Sequence, residues 1–292
     1  MLQEKEWKDY IISLKNKQQG IERDNENYIK ILKELFPITI KNLVDGKFGV
    51  AFSGGVDSTL IAFILKKLGY EFPCYTVGLQ NSDDVISAKK VSERLNLNLK
   101  IKIIEINELE DIIKNVVKLL KVSDVTKVSV ASVLYAILEM VKNDEICELF
   151  TGLGSEEIFA GYDRHLKALG DGNWDEVHNE CWIGLLNMWE RDLSRDLVIA
   201  EKFGIKLLTP FLDREIIINS MKVHPIHKIS REHKKIILRE VAEELGLPKE
   251  FAWRQKKAAQ YGSSFIKGMD KITKKNKFRY KREYLEWLIN RS

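Results

Sequence analysis

Two kinds of apolar run alternate along the chain. Phe48–Phe52, Phe72–Leu79, Leu99–Ile106 and Glu145–Phe150 are short and nearly continuous or alternating, whereas the stretches between them place apolar residues three and four positions apart. The first kind reads as strand buried in a sheet and the second as amphipathic helix. Thr59–Lys66 follows the first strand with helical spacing. Ser82-Asp-Asp-Val opens a helix expected to run to Asn96, with a capping serine and acids in its first turn. Asn107 followed by Glu110 reads as a capping box ahead of another helix, and one more is expected from Val128 to Val141. Repeated strand–helix alternation implies right-handed crossovers and a parallel sheet, an α/β fold whose ligands collect outside the carboxyl ends of the strands.

The flanks are helical in pattern. Residues 1–23 predict a charged, weakly amphipathic arm, and Tyr28–Phe36 predicts a helix stopped by Pro37. From Trp174 onward the spacing is helical, interrupted at Thr209-Pro210 and Leu247-Pro248, which predicts a helical carboxy-terminal layer packed on the sheet. The expected organisation is the arm, then one domain over 24–292, with a core near 45–215 and a helical part near 216–292. Trp174, Trp182 and Trp189 sit at helical spacing and read as packing residues.

Composition narrows the class. A chain of 292 residues with 45% hydrophobic and 31% charged residues can bury a full core, so disorder is not expected. The charged amino terminus lacks an apolar signal core, and no apolar run is long enough to span a bilayer, so the expected compartment is the cytoplasm and no membrane partner is expected. Cys74, Cys147 and Cys181 are widely spaced and read as buried small hydrophobes, which disfavours disulfide, zinc and iron–sulfur sites. The five histidines lack metal-ligand spacing, and His165 reads as a surface or packing residue. Net charge is only +4, yet Lys267–Arg282 carries eight Lys/Arg against the single acid Asp270; as a solvated face the run needs no partner, and as a polyanion contact it would need one.

The chemistry lies in two glycine turns. Ser53-Gly-Gly-Val-Asp-Ser58 joins a strand to a helix, where paired glycines admit backbone N–H groups to an anion and the helix N-terminus adds partial positive charge. Asp57 beside phosphate calls for a divalent cation between them, Mg²⁺ being the natural choice. No Lys-Ser/Thr pair closes the turn, so this is not a Walker loop. Thr151-Gly-Leu-Gly-Ser-Glu-Glu157 repeats the logic after another strand, and Glu156 on the same edge supplies a second carboxylate.

Ser-Gly-Gly-x-Asp-Ser resembles the PP-loop of ATP pyrophosphatases, which cleave between the α and β phosphates. Thr151–Tyr162 resembles the second signature of the asparagine synthetase family. Val77-Gly-Leu with Ser82, Asp124-Val-Thr126, Thr209-Pro-Phe-Leu-Asp213 and Trp253-Arg-Gln-Lys256 match further family motifs in family order, over roughly residues 28 to 267. Gly161–His165 and Lys256–Ser263 are most similar to the asparagine synthetase domain-containing branch. The resemblance implies a PP-loop, adenine nucleotide alpha hydrolase-like fold, with a five-stranded parallel sheet and helices on both faces. It implies ATP and Mg²⁺, with Ser53, Gly54, Gly55, Asp57 and Ser58 on pyrophosphate, Val77 and Gly152 near the nucleoside, and Asp57 and Glu156 on the metal. Lys256 matches the lysine that neutralises departing phosphate charge, Thr126 a substrate contact, and Glu157 a substrate contact and substitute proton acceptor; Asp213 belongs to a structural turn.

The implied reaction is amide formation, in which a carboxylate is adenylylated, pyrophosphate leaves, and ammonia or an amine displaces AMP. Position 2 is Leu rather than the family's glutaminase cysteine, so nitrogen is expected as ammonia, an amine, or the product of a separate glutaminase subunit. Leu153 replaces the acid between the two glycines and Ser129 replaces an arginine that pairs with the substrate carboxylate, which counts against aspartate. Two alternatives stay open: a PP-loop enzyme that modifies tRNA, for which the basic run speaks, and an ATP-binding regulatory subunit without turnover.

Overall fold

The computed structural model describes residues 3–18, 20–255 and 258–291. Strands β1 Phe48–Ala51, β2 Pro73–Gly78, β3 Asn98–Ile103, β4 Glu148–Phe150 and β5 Lys206–Leu208 form one sheet in the order β3-β2-β1-β4-β5. Every pairing is parallel, with Val50 opposite Cys74 and Phe150, and Phe150 opposite Leu208. Successive strand residues face opposite ways. Cys74 and Phe150 therefore enter one buried core while Tyr75 and Leu149 enter the other, and helices cover both faces. The five-stranded parallel α/β architecture expected from the sequence is the architecture found.

The first core is closed by Leu60, Ile61 and Ile64 of the Val56–Lys67 helix and by Leu32, Phe36 and Ile40 of the Asn25–Leu43 helix. That second helix runs through Pro37 instead of stopping there. Phe36 and Ile40 continue the stripe of Leu32 into the core, and their burial outweighs the hydrogen bond that proline removes. Similarly, the expected arm is a helix, Glu4–Lys17, whose Trp7, Ile11 and Leu14 lie in the same core, with Trp7 Nε1 donating to the Leu185 carbonyl at 2.8 Å.

The second core joins Ile112, Ile113 and Val116 of the Ile106–Leu120 helix to Val128, Ala131 and Leu138 of the Val125–Asn143 helix. Glu105, not Asn107, is the N-cap of the former. The helical carboxy-terminal part does not form one layer. Ile237, Leu238 and Val241 complete the first core, whereas Phe265, Met269, Ile272, Tyr284 and Leu285 complete the second. Between them, Arg254 donates to the Gly54 carbonyl at 3.0 Å and the Ser263 carbonyl accepts from the Leu79 N–H at 2.9 Å. Lys267, Lys271 and Lys274 project to solvent from the Phe265–Lys275 helix, and Lys275 pairs with Glu110 at 2.9 Å. Cys74 and Cys181 are buried as expected, but Cys147 is exposed at the start of the β4 run. Trp182 is fully buried, with Trp174 and Trp189 packed against the same core.

One buried charge makes a testable cost. Lys228 has no exposed surface, and the partner its ammonium meets among the described residues is the Met221 sulfur at 3.7 Å. Burial pushes its pKa down to about 8 from 10.5. Between those values the unfolded chain binds a proton that the folded chain does not, so stability rises with pH across that window. Lys228→Met should remove that rise and stabilise the protein below it by roughly 3 kcal/mol. Melting temperature against pH tests this; an undiminished rise in the variant would place its origin elsewhere.

Candidate functional site

β1 and β4 are neighbours although two strands and four helices separate them along the chain, because the crossovers after β1 run one way across the sheet and β4 lies on the other side. Their carboxyl ends thus flank the point where strand order reverses, which is where open α/β sheets bind ligands. Both glycine turns meet there. A Cβ at Gly152 would stand 2.9 Å from Asp57 Cβ, so the two loops touch only because that position has no side chain. Gly54 has φ +66°, and a Cβ there would meet the Ser87 backbone at 3.0 Å. Ser53 and Ser58 brace the first turn: their hydroxyls lie 3.3 Å apart, the Gly55 N–H donates to Ser53 Oγ at 3.4 Å, and Ser58 Oγ donates to the Gly55 carbonyl at 3.2 Å. Arg254, reaching in from the carboxy-terminal part, donates to the carbonyls of Gly54 at 3.0 Å and Ser53 at 3.3 Å.

Asp57 and Glu156 come together on one cation that the sequence reading did not single out. Lys235 Nζ lies 2.9 and 2.8 Å from the two Asp57 oxygens, 2.7 Å from Glu156 and 3.1 Å from Ser155 Oγ. Burial alone would depress this lysine, but Asp57 and Glu156 outweigh it and hold its pKa above the ordinary value. Gly161 makes room: a Cβ there would fall 1.7 Å from Glu156 Oε2 and 2.5 Å from Lys235 Cε. Lys235 itself has φ +59° ahead of the Ile236–Glu244 helix. Arg239, buried one turn later, fixes that segment. Its Nε donates to the Lys234 carbonyl at 2.7 Å and its Nη1 to the carbonyls of Ala252 at 2.6 Å and Arg254 at 3.1 Å. One guanidinium therefore ties together the segments that deliver Lys235 to Asp57 and Arg254 to the carbonyls of the first turn.

Glu157, one residue from Glu156, faces a different set of groups. Its side chain is only 1% exposed; it pairs with Arg191 and lies 3.8 Å from Arg164. Both guanidiniums lie over the Tyr162 ring, at 4.0 Å for Arg164 and 5.3 Å for Arg191. Burial pushes the Glu157 pKa up to about 7, helped by Asp192 and Glu156 and opposed by Arg191. Arg191 sits in a single π-helical turn, Trp189–Leu193, a feature that often marks functional segments. His165 is fully buried, its Nδ1 accepts from the Tyr162 N–H at 3.1 Å, and burial pushes its pKa down to about 3, so it is a neutral packing residue.

The other expected residues separate. Val77 is buried in the second core, so only its backbone can face a ligand. Thr126 is exposed in the first turn of the Val125–Asn143 helix, beside Lys127, whose Nζ donates to the Glu190 carbonyl at 3.0 Å. Ser129 is buried and spends its hydroxyl on the Val125 and Thr126 carbonyls, so it offers a substrate nothing. Leu153 packs against the first core. Asp213 caps the Arg214–Lys222 helix, accepting from Glu215 N at 2.9 Å and Ile216 N at 3.2 Å, a structural role as expected. Leu2 and Lys256 lie outside the described residues.

No grouping of three or more His, Cys, Asp or Glu that could hold a metal occurs among the described residues. Two carboxylates and a hydroxyl gathered around one cation nonetheless form a hard oxygen donor set of the kind Mg²⁺ takes when substrate phosphates supply further ligands, so the residues fit such an ion.

Comparison with known proteins follows this geometry. The asparagine synthase family model matches residues 34–174 and 170–276. A putative glutamine-hydrolysing asparagine synthetase of Methanocaldococcus jannaschii is 33% identical over 306 residues, covering 93% of this chain and 56% of that protein. Asparagine synthetase B of Escherichia coli is 28% identical over 261 residues, covering 83% and 46%. The chain thus spans about half the length of the curated relatives it matches. Among solved structures, the NMN synthetase of Francisella tularensis overlaps 93% of this chain and 95% of its own at 12% identity, with a TM-score of 0.44.

Proposed function

Because the chain belongs to the asparagine synthase family, we propose that it is an ATP-dependent amide ligase that adenylylates a carboxylate, releases pyrophosphate, and passes the acyl group to ammonia or another amine. The observation that carries this reading is the gathering of Asp57 and Glu156 onto one buried ammonium where two glycine turns meet at the carboxyl ends of β1 and β4.

The residues divide the work. The Ser53–Ser58 turn, leading into the Val56–Lys67 helix, offers backbone N–H groups and hydroxyls to the β and γ phosphates. Asp57 and Glu156 would hold Mg²⁺, which when bound neutralises phosphate charge. A carboxylate oxygen of the acceptor attacks the α phosphorus, and the bond to pyrophosphate breaks. Arg254, by donating to the carbonyls of Gly54 and Ser53, would hold the turn's backbone in place. Lys256 is assigned to the departing charge, a task for a point cation.

Glu157 takes a different part in this proposal from the proton acceptor and substrate contact expected of it. Capped by Arg191 and Arg164 and almost without exposed surface, it orders those guanidiniums against Tyr162 rather than receiving a proton from the incoming nitrogen. Leu153 supplies no proton acceptor either, so free ammonia is the nitrogen form this site would take. Carboxylate-dependent exchange of labelled pyrophosphate into ATP tests the first half-reaction. Exchange that appears only with an acceptor present is expected; its absence across mono- and dicarboxylates would leave an ATP-binding subunit without turnover.

A further inference from the structure

Lys235 holds both carboxylates assigned to the metal. The same Nζ contacts Asp57 at 2.8 Å and Glu156 at 2.7 Å, so an ion bound between these two side chains competes with the ammonium for their oxygens. The pocket around them is tight. At Gly161 even one added carbon would overlap Glu156 Oε2 and Lys235 Cε, and at Gly152 one would crowd Asp57. A divalent ion placed beside the ammonium would share the same oxygens with a second positive charge close by, and that repulsion favours one cation over two.

The backbone that carries Lys235 is fixed on both sides by backbone and guanidinium hydrogen bonds, whereas its ammonium is held by side-chain oxygens of Asp57, Glu156 and Ser155. Arg239 holds the Lys234 carbonyl through its Nε, and the Arg239 N–H donates to the Lys235 carbonyl at 3.1 Å. Ile236 N–H donates to the Lys228 carbonyl at 2.9 Å, closing the turn that leads into the helix. The four-carbon stem of Lys235 is therefore the part able to move. From an anchored Cα beside Asp57, its ammonium can exchange carboxylate oxygens for phosphate oxygens held by the adjacent turn.

We propose that Lys235 is a resident counter-ion for Asp57 and Glu156, which yields its place to the divalent ion arriving with the nucleotide and moves its ammonium onto the nucleotide's phosphates. This rests on the Mg²⁺–ATP reading of the site. It gives the lysine two successive tasks. Before binding, it offsets the repulsion between two neighbouring carboxylates; after binding, it adds a cation to the polyphosphate. It also makes metal binding conditional, because an ion arriving alone must evict the ammonium with no phosphate to receive it.

The test is direct binding of Mn²⁺, read by electron paramagnetic resonance, with and without the α,β-methylene analogue of ATP, which resists cleavage at the bond in question. Wild-type protein should bind Mn²⁺ weakly alone, and Lys235→Met should bind it about tenfold or more tightly without nucleotide, since a tenfold change needs only about 1.4 kcal/mol of relieved competition. Lys235→Gln guards against a folding failure of the methionine variant and should behave alike. Glu156→Gln, which leaves the Lys235–Asp57 pair intact, should show no such gain. Lys90→Met, which removes an exposed partner of Glu250, controls for net charge and should match wild type. Equal nucleotide-free affinity in wild type and both Lys235 variants would overturn the displacement while leaving the metal site standing. Failure of every protein to bind Mn²⁺ even with the analogue would remove the metal reading, and this proposal with it.

Discussion

Asp57→Asn should lower acceptor-dependent AMP formation by roughly three orders of magnitude and leave the cooperative melting transition in place. The substitution keeps the volume that packs beside Gly152, so the contact between the two turns survives. Lys235 retains Glu156 and Ser155, so no ammonium is stranded without a partner. What disappears is the negative charge of one of the two carboxylates that the proposed reaction assigns to the metal. Turnover within a few-fold of wild type in a folded variant would mean that Asp57 is a structural acid for Lys235 and nothing more.

Gly161→Ala is expected to be nearly as damaging, by a different route. The added carbon cannot coexist with Glu156 Oε2 at 1.7 Å, Lys235 Cε at 2.5 Å or Glu156 Cδ at 2.8 Å. Glu156 must swing out or the Tyr162 segment must move, and either breaks the gathering of carboxylates on Lys235. Overpacking of this sort costs about 1–3 kcal/mol, and with Glu156 displaced turnover should fall by about a hundredfold. Denaturant midpoint and steady-state kinetics together check it. A variant unchanged in both would show that Glu156 can leave its observed position without consequence.

Much of this arrangement is legible in the chain. Near-continuous apolar runs ending in glycine turns place β1, β2 and β4, and parallel order follows from the helices between them. β5 is harder to see because Lys206–Leu208 is only three residues long, lies within helical sequence, and becomes a strand by pairing with Glu148–Phe150. Pro37 is a local stop signal overridden by burial on either side of it, a tertiary effect that no window of local sequence contains.

The site divides in the same manner. Asp57 and Glu156 announce themselves as acids in glycine turns at helix starts. Lys235 stands in Glu232-His-Lys-Lys235 among ordinary basic residues, and nothing local distinguishes it from Lys234, which pairs with Asp163 at the surface. Its signal is the positive φ ahead of an apolar helix together with the fork of Arg239, both of which exist only in the folded chain. Glu157 misleads for the opposite reason. Adjacency to Glu156 suggests a shared site, but successive residues of a helical turn point about 100° apart, and Glu157 turns inward to Arg191 and Arg164.

The most direct measurement of the central claim follows oxygen atoms. An acceptor carboxylate labelled with heavy oxygen is incubated with the protein, ATP, Mg²⁺ and ammonium, and the products are weighed by mass spectrometry. If the carboxylate is adenylylated and the nitrogen nucleophile then breaks the acyl–oxygen bond, one labelled oxygen appears in AMP and none in pyrophosphate or inorganic phosphate. Label in inorganic phosphate, accompanied by ADP, would mean an acyl phosphate formed at the γ position and would contradict the assignment of this site to cleavage between the α and β phosphates.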